Sequence, residues 1–184
     1  TISDSLTLPC GAVIKNRIGK SAMSENMGSK GFVSNRSFQT LYERWSDGGT
    51  GLLITGNVMV DQRALGEARN VVIEKGIKDP SLKLWSEAGK KNQTHVWVQL
   101  NHPGKQSPKF LTKLPVAPSA IPLKKPLNRV FNTPRALSDA EIIEIISRFA
   151  YAAKVCKENG FTGVQIHGAH GYLVSQFLSP THNQ

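Results

Sequence analysis

SDAEIIEIISRFAYAAKVCKENGFTGVQIH, Ser138 to His167, is the stretch that decides the fold. Ser138 with Glu141 three residues later is a capping box. Ile142, Ile145, Ile146, Phe149, Ala153 and Cys156 then give one apolar helical face. Gly160 closes the helix as a C-terminal cap, and Gly163 to His167 (GVQIH) reads as a strand. A long amphipathic helix running directly into a strand is part of a repeating strand-helix alternation, and the rest of the chain repeats it.

Working upstream, His95 to Leu100 (HVWVQL) reads as a strand, and Leu82, Trp85 and Ala88 or Gly89 mark a helix that starts after Pro80. Gly51 to Gly56 (GLLITG) is a continuous apolar run, as expected of a parallel strand buried on both faces. Phe38, Leu41, Tyr42 and Trp45 form a helical stripe stopped by Gly48 and Gly49. Residues 17 to 24 give a weaker first strand, and Leu6, Leu8, Val13 and Ile14 predict a short hairpin before it. A long loop carrying seven prolines between Pro103 and Pro134 leads to Ser138, and loops of that length in compact domains tend to be functional.

Alternation with sizeable connections argues for a parallel α/β sheet. Four strand-helix units are half of an eight-unit (β/α)8 TIM barrel, so the expectation is a half-barrel within one domain over residues 1–184. A doubly wound sheet is the alternative, but no GxGxxG or P-loop sequence follows any strand.

The 184 residues, 39% hydrophobic, suit one globular domain. No apolar run approaches the roughly 20 residues of a membrane span, and the N-terminus lacks the order of a signal peptide, so the cytoplasm is the expected compartment. Cys10 and Cys156 suggest neither a disulfide framework nor a metal site. A net charge of +10 raises nucleic-acid binding as a reading. The basic residues are dispersed, however, and no recognition motif accompanies them, so no nucleic-acid partner is expected.

In a parallel α/β architecture the polar residues at the C-terminal strand ends carry function. Here these are Ser24, then Asn57, then Gln99, Asn101 and His102, and finally His167, His170 and Tyr172. His167-Gly-Ala-His170-Gly-Tyr172 is the sharpest cluster, because Gly168 and Gly171 let the backbone turn. Two imidazoles can stabilise the charge that develops on a carbonyl oxygen, and a phenol can deliver a proton. Local hydrogen bonding in a polar loop is the plainer reading of these residues. A metal is a third, weakened by the lack of the intervening Glu of the zincin motif, so no metal is expected. Gln99 offers an amide that donates and accepts at once.

NRIGKSAMS (Asn16 to Ser24), GLLITGN (Gly51 to Asn57), VQLNHPGKQ (Val98 to Gln106) and GVQIHGAHGYLVSQFLSP (Gly163 to Pro180) together resemble the old yellow enzyme family of FMN-dependent oxidoreductases. The resemblance is collinear over essentially the whole chain and implies the N-terminal half of an FMN-binding barrel, with the phosphate-holding loops beyond Gln184. It implies that Ser21, Ala22, Met23 and Ser24 line the flavin, with Gly56 and Asn57 beside it and Gln99 at its pyrimidine end. It implies that His167 and His170 hold the substrate carbonyl and that Tyr172 donates the proton. NADH or NADPH would reduce the flavin, and an α,β-unsaturated carbonyl or similar acceptor would take the hydride. Ser24 stands where Thr or Cys is usual, Ala22 where Pro is common, Asn57 where Gly or Ala is usual, and Asn26 where one subclass has a substrate-binding Tyr. A half-barrel leaves sheet edges open, so homo-oligomerisation and a non-catalytic role through association are the alternatives to catalysis.

Overall fold

The computed structural model describes residues 1–184. The predicted hairpin is β1 (Leu6–Thr7) against β2 (Val13–Ile14), antiparallel. β3 follows at Gly19–Lys20, shorter than the expected strand, and residues 21–24 continue from it outside the ladder. Then come α1 (Arg36–Asp47), β4 (Leu52–Met59) and β5 (Val71–Val72). They are followed by α2 (Leu82–Gly89) and β6 (His95–Asn101). The proline-rich loop contains two short strands, β7 (Val116–Ala117) and β8 (Arg135–Ala136), paired in parallel. The chain ends with α3 (Asp139–Glu158), β9 (Gly163–Ile166) and α4 (Leu173–Phe177).

β3, β4, β6 and β9 lie side by side in that order, every pair parallel. Sequential neighbours in an all-parallel sheet, joined by helical crossovers, are the arrangement of successive units of a (β/α)8 barrel. β5 takes the edge of β4 that β3 leaves after Leu53.

The core lies between the helices and one face of this sheet. Phe38 and Tyr42 of α1, Trp85 of α2 and Cys156 of α3 pack on Leu53, Val58, Val96, Val98 and Leu100, all nearly or fully buried. The Trp85 ring is the hub, 4.5 Å from the Phe38 centroid, 5.3 Å from Tyr42 and 5.5 Å from Phe161. Because side chains alternate along a strand, the residues between these apolar ones face the other way. On β6 and β9 these are Trp97 and Gln99, and Gly163 and Gln165.

The capping box of α3 forms as expected: Ser138 Oγ accepts from Glu141 N–H, and Glu141 Oε2 accepts from Ser138 N–H at 2.9 Å. Arg148, midway along α3, bonds Glu74 Oε2 at 2.9 Å, while Arg63 chelates Asp61. Pairs of Arg148 with Glu74 and Asp61, and of Arg63 with Glu144, fasten the segments that follow β4 and β5 to the helix.

Candidate functional site

The site forms at the C-terminal ends of β4, β6 and β9, where one irregularity sets the geometry. The pairing of β4 with β6 jumps from Ile54↔Trp97 to Asn57↔Gln99, so β4 carries one extra residue in a bulge at Thr55 and Gly56. The Gln99 N–H donates to Thr55 Oγ1 at 3.0 Å, and that hydroxyl donates to Gly56 O at 2.8 Å. The bulge puts Asn57 level with Gln99, and Gln99 is level with Gln165. Gln99 Nε2 donates to Gln165 Oε1 at 2.8 Å, giving a row of amides across three strands.

Gly56 is where the segment after β3 is seated. A Cβ there would stand 2.4 Å from Met23 O and 2.8 Å from Ser24 Cα, so only glycine permits this approach. The Gly56 N–H is bound by Glu25 Oε1 at 3.0 Å. Met23 and Ser24 are exposed as they pass across the end of β4. Ser21 and Ala22 lie upstream and make no side-chain hydrogen bond.

The loop after β9 brings His167, His170 and Tyr172 together. The His167 ring centroid is 4.8 Å from that of Tyr172 and 5.2 Å from that of His170, both edge to face. The turn depends on two successive left-handed residues, His170 (φ 55°) and Gly171 (φ 72°). Two glutamines hold it. Gln106 Nε2 donates to His170 O at 2.8 Å, and buried Gln176 donates to Gly171 O at 2.7 Å and to Pro103 O at 3.2 Å. The loop after β6 therefore sets the loop after β9.

His167 is buried, and burial first, then the neighbouring His170, lower its pKa, so the ring is neutral at physiological pH. Its Nδ1 accepts the Ala169 N–H at 3.3 Å. This places the ring proton on Nε2 as a donor. Burial, reinforced by Glu67, raises the Tyr172 pKa, against a polar contact from the Asn57 side chain that lowers it. The phenol therefore remains protonated through the neutral range.

Two residues absent from the sequence-derived site stand beside it. Glu67 accepts the Ser24 hydroxyl, and buried Asn70 sends its Nδ2 toward Asn57 O and Glu67 Oε2, both at 3.5 Å. Ser24, Glu67, Asn70, Asn57 and Tyr172 form one polar chain from the first strand to the last. Nothing periodic marks residues 61–70 in the sequence. Gln165 is likewise absent from the sequence-derived site, although its alternation with Val164 and Ile166 is the signal that marks it.

His102 turns out not to belong to this cluster. It points into a separate cleft of about 150 Å³, shared with Asp61, Arg63, Arg135 and Glu144. No group of three or more potential metal ligands occurs anywhere in the structure. No helix is long and apolar enough to cross a membrane.

The chain is similar to several known proteins. An NADH-dependent flavin oxidoreductase of Hypocrea jecorina is 38% identical over 97% of this chain. An NADH oxidase of Thermoanaerobacter brockii is 35% identical over 94%. The chain spans about half the length of the first relative, 49%, and 26% of the second. Morphinone reductase, solved in complex with tetrahydroNAD, superposes on the whole chain with a TM-score of 0.89 at 25% identity, over 53% of its own length. The old yellow enzyme homologue of Zymomonas mobilis gives 0.88 at 24% identity, which speaks for the barrel fold alone. The sequence profile of the NADH:flavin oxidoreductase / NADH oxidase family matches residues 10–184, and the chain belongs to that family.

Proposed function

We propose that the chain is the N-terminal half of a single FMN-binding barrel domain that oxidises NADH or NADPH and reduces an activated alkene. The observation that carries the reading is the His167 tautomer. A neutral imidazole with Nε2–H free, edge-on to a protonated phenol, is a donor pair suited to a carbonyl oxygen and the carbon beside it.

The residues fit a flavin. A flat ring with hydrogen-bonding groups at one end needs an open shelf and amides at its edge. The exposed Met23–Ser24 segment, seated on Gly56, is such a shelf, and the Asn57, Gln99 and Gln165 row supplies the amides. Held by these residues, FMN would accept electrons from NADH or NADPH and would make a hydride available to the acceptor.

The remaining work falls to the protein. His167 Nε2–H and the His170 ring hold the acceptor carbonyl and stabilise the negative charge that grows on its oxygen. Tyr172 delivers its hydroxyl proton to the α-carbon. Ser24 and Gln99 would hold the flavin, Ser24 through the lone pairs its hydroxyl keeps while donating to Glu67 and Gln99 through its side-chain amide.

The full-length protein, purified natively, should be yellow. NADH or NADPH should bleach it, and an α,β-unsaturated ketone should restore the colour without oxygen. A colourless protein that takes up no FMN would overturn the assignment.

A further inference from the structure

The loop between β4 and β5 brings one carboxylate to the rim of the site, that of Glu67, and no lysine or arginine pairs with it. Asn70, 3% exposed, receives the Gly66 and Glu67 amide N–H groups on Oδ1 at 3.0 and 2.7 Å. This tight turn fixes the Glu67 backbone, and Asn70 Nδ2 lies 3.5 Å from Glu67 Oε2. Its carboxylate takes the Ser24 hydroxyl and lies within electrostatic reach of the Tyr172 phenol. In a chain of net charge +10, no lysine or arginine forms a salt bridge with it. The nearest cation in sequence, Arg69, donates to Gly28 O at 3.0 Å and Met27 O at 3.4 Å and forms no salt bridge with Glu67.

We propose that Glu67 is a further specificity-determining residue of this site: its carboxylate, bonded to Ser24 and Asn70 and in no salt bridge, admits neutral or cationic acceptors and turns away those that carry a carboxylate. The inference rests on the reading of the site as a carbonyl-acceptor pocket. A hydroxyl and two amides already hold the Glu67 loop, so the negative charge is not needed to shape the site; Gln at position 67 keeps the hydrogen bonds and removes only the field. A like charge a few ångströms beyond contact changes ligand affinity on the order of tenfold in a partly solvated pocket.

The charged and titratable groups that face Tyr172 are Glu67 from the β4 side and His167, with His170 beyond it, from its own loop. His167 is neutral, so Glu67 is the charge that acts on the phenol. Two readouts follow. The first is binding of para-methylbenzaldehyde and para-carboxybenzaldehyde, neutral and anionic carbonyl probes of similar size, to the full-length FMN-loaded protein, followed by flavin absorbance. Glu67→Gln should improve the affinity for the anionic probe about five- to tenfold relative to the neutral one, and Glu67→Asp should keep the original preference. A ratio unchanged in Glu67→Gln overturns the proposal. The second is the ultraviolet titration of Tyr172, read as the difference from Tyr172→Phe, whose midpoint should fall in Glu67→Gln. If neither probe perturbs the flavin of the unsubstituted protein, the acceptor-site reading fails. The titration then decides Glu67 separately, and an unmoved midpoint overturns its role.

Discussion

Thr55 Oγ1 lies 3.0 Å from the Gln99 amide nitrogen and takes the place of a backbone carbonyl in the β4–β6 ladder. Both residues are buried, so the hydroxyl satisfies an N–H that water does not reach. Thr55→Val keeps the shape and the β-branched preference but strands that donor. It should lower unfolding free energy by about 1–3 kcal/mol, measured by urea denaturation. Thr55→Ser keeps the hydroxyl and should recover most of the loss, whereas equal losses in the two variants would mean that the methyl group, not the bond, matters.

Gly56, the other half of the bulge, permits the approach of the segment after β3. Gly56→Ala would drive a Cβ into Met23 O and Ser24 Cα, both backbone atoms that cannot rotate away. The segment must lift, and Ser24 with it. The expected outcome is a stability loss of about 1–3 kcal/mol with weaker FMN retention in the full-length protein, followed by flavin released on gel filtration. Retention equal to that of the unsubstituted protein would show that the shelf does not need this contact.

The elements were legible where periodicity carried them. α1, α2, α3 and β6 stand within a residue or two of the stripes that predicted them, because each packs on the same core, although α3 does so only from Phe149 onward and Ile146 of its predicted stripe is 59% exposed. β4 runs three residues past the predicted Gly56 end, since a bulge interrupts the pattern without ending the strand. β5, β7, β8 and α4 are not marked in the sequence: two-residue strands and a five-residue helix have no period to detect, and unlike β1 and β2 these strands have no partner close by in sequence to reveal them as a hairpin. The His167, His170 and Tyr172 cluster was readable because one short glycine-punctuated segment holds all three residues. Glu67 was not, because its importance comes from Ser24 and Asn70, far away or aperiodic in sequence.

Tyr172→Phe separates proton delivery from the rest of the proposed reaction. The aromatic ring and its packing on His167 remain, and only the acidic proton is lost. Reduction of an enone by the pre-reduced protein should slow by about 10²- to 10⁴-fold, while reduction of the flavin by NADH or NADPH stays within about twofold of normal, both by stopped-flow absorbance. In the proposed reaction the protonated phenol is the active form, and burial together with Glu67 raises its pKa. The enone step of the unsubstituted protein should therefore hold its rate through neutrality and fall only on the alkaline side of the ordinary tyrosine value. Loss of both half-reactions together would remove Tyr172 from the donor role.

His102 links acid stability to the cleft beside the site. It is 2% exposed, its Nδ1 accepts the Gly104 N–H at 3.1 Å, and burial depresses its pKa to about 4 from the ordinary 6.5. The folded protein holds this imidazole neutral, whereas the unfolded chain protonates it below about pH 6.5. Between those two values the unfolded state binds more protons, so stability is fully present above pH 6.5 and is lost as the pH falls toward 4. One such group contributes a slope of about 1.4 kcal/mol per pH unit, or about 3 kcal/mol across the window. His167, also depressed by burial, adds a smaller effect of the same sign. His102→Asn offers Gly104 an acceptor of similar geometry without a titrating ring. Urea unfolding at a series of pH values from about 4 to 7 should show the slope reduced by nearly one proton in this variant, and an undiminished slope would mean that His102 does not remain neutral in the folded protein.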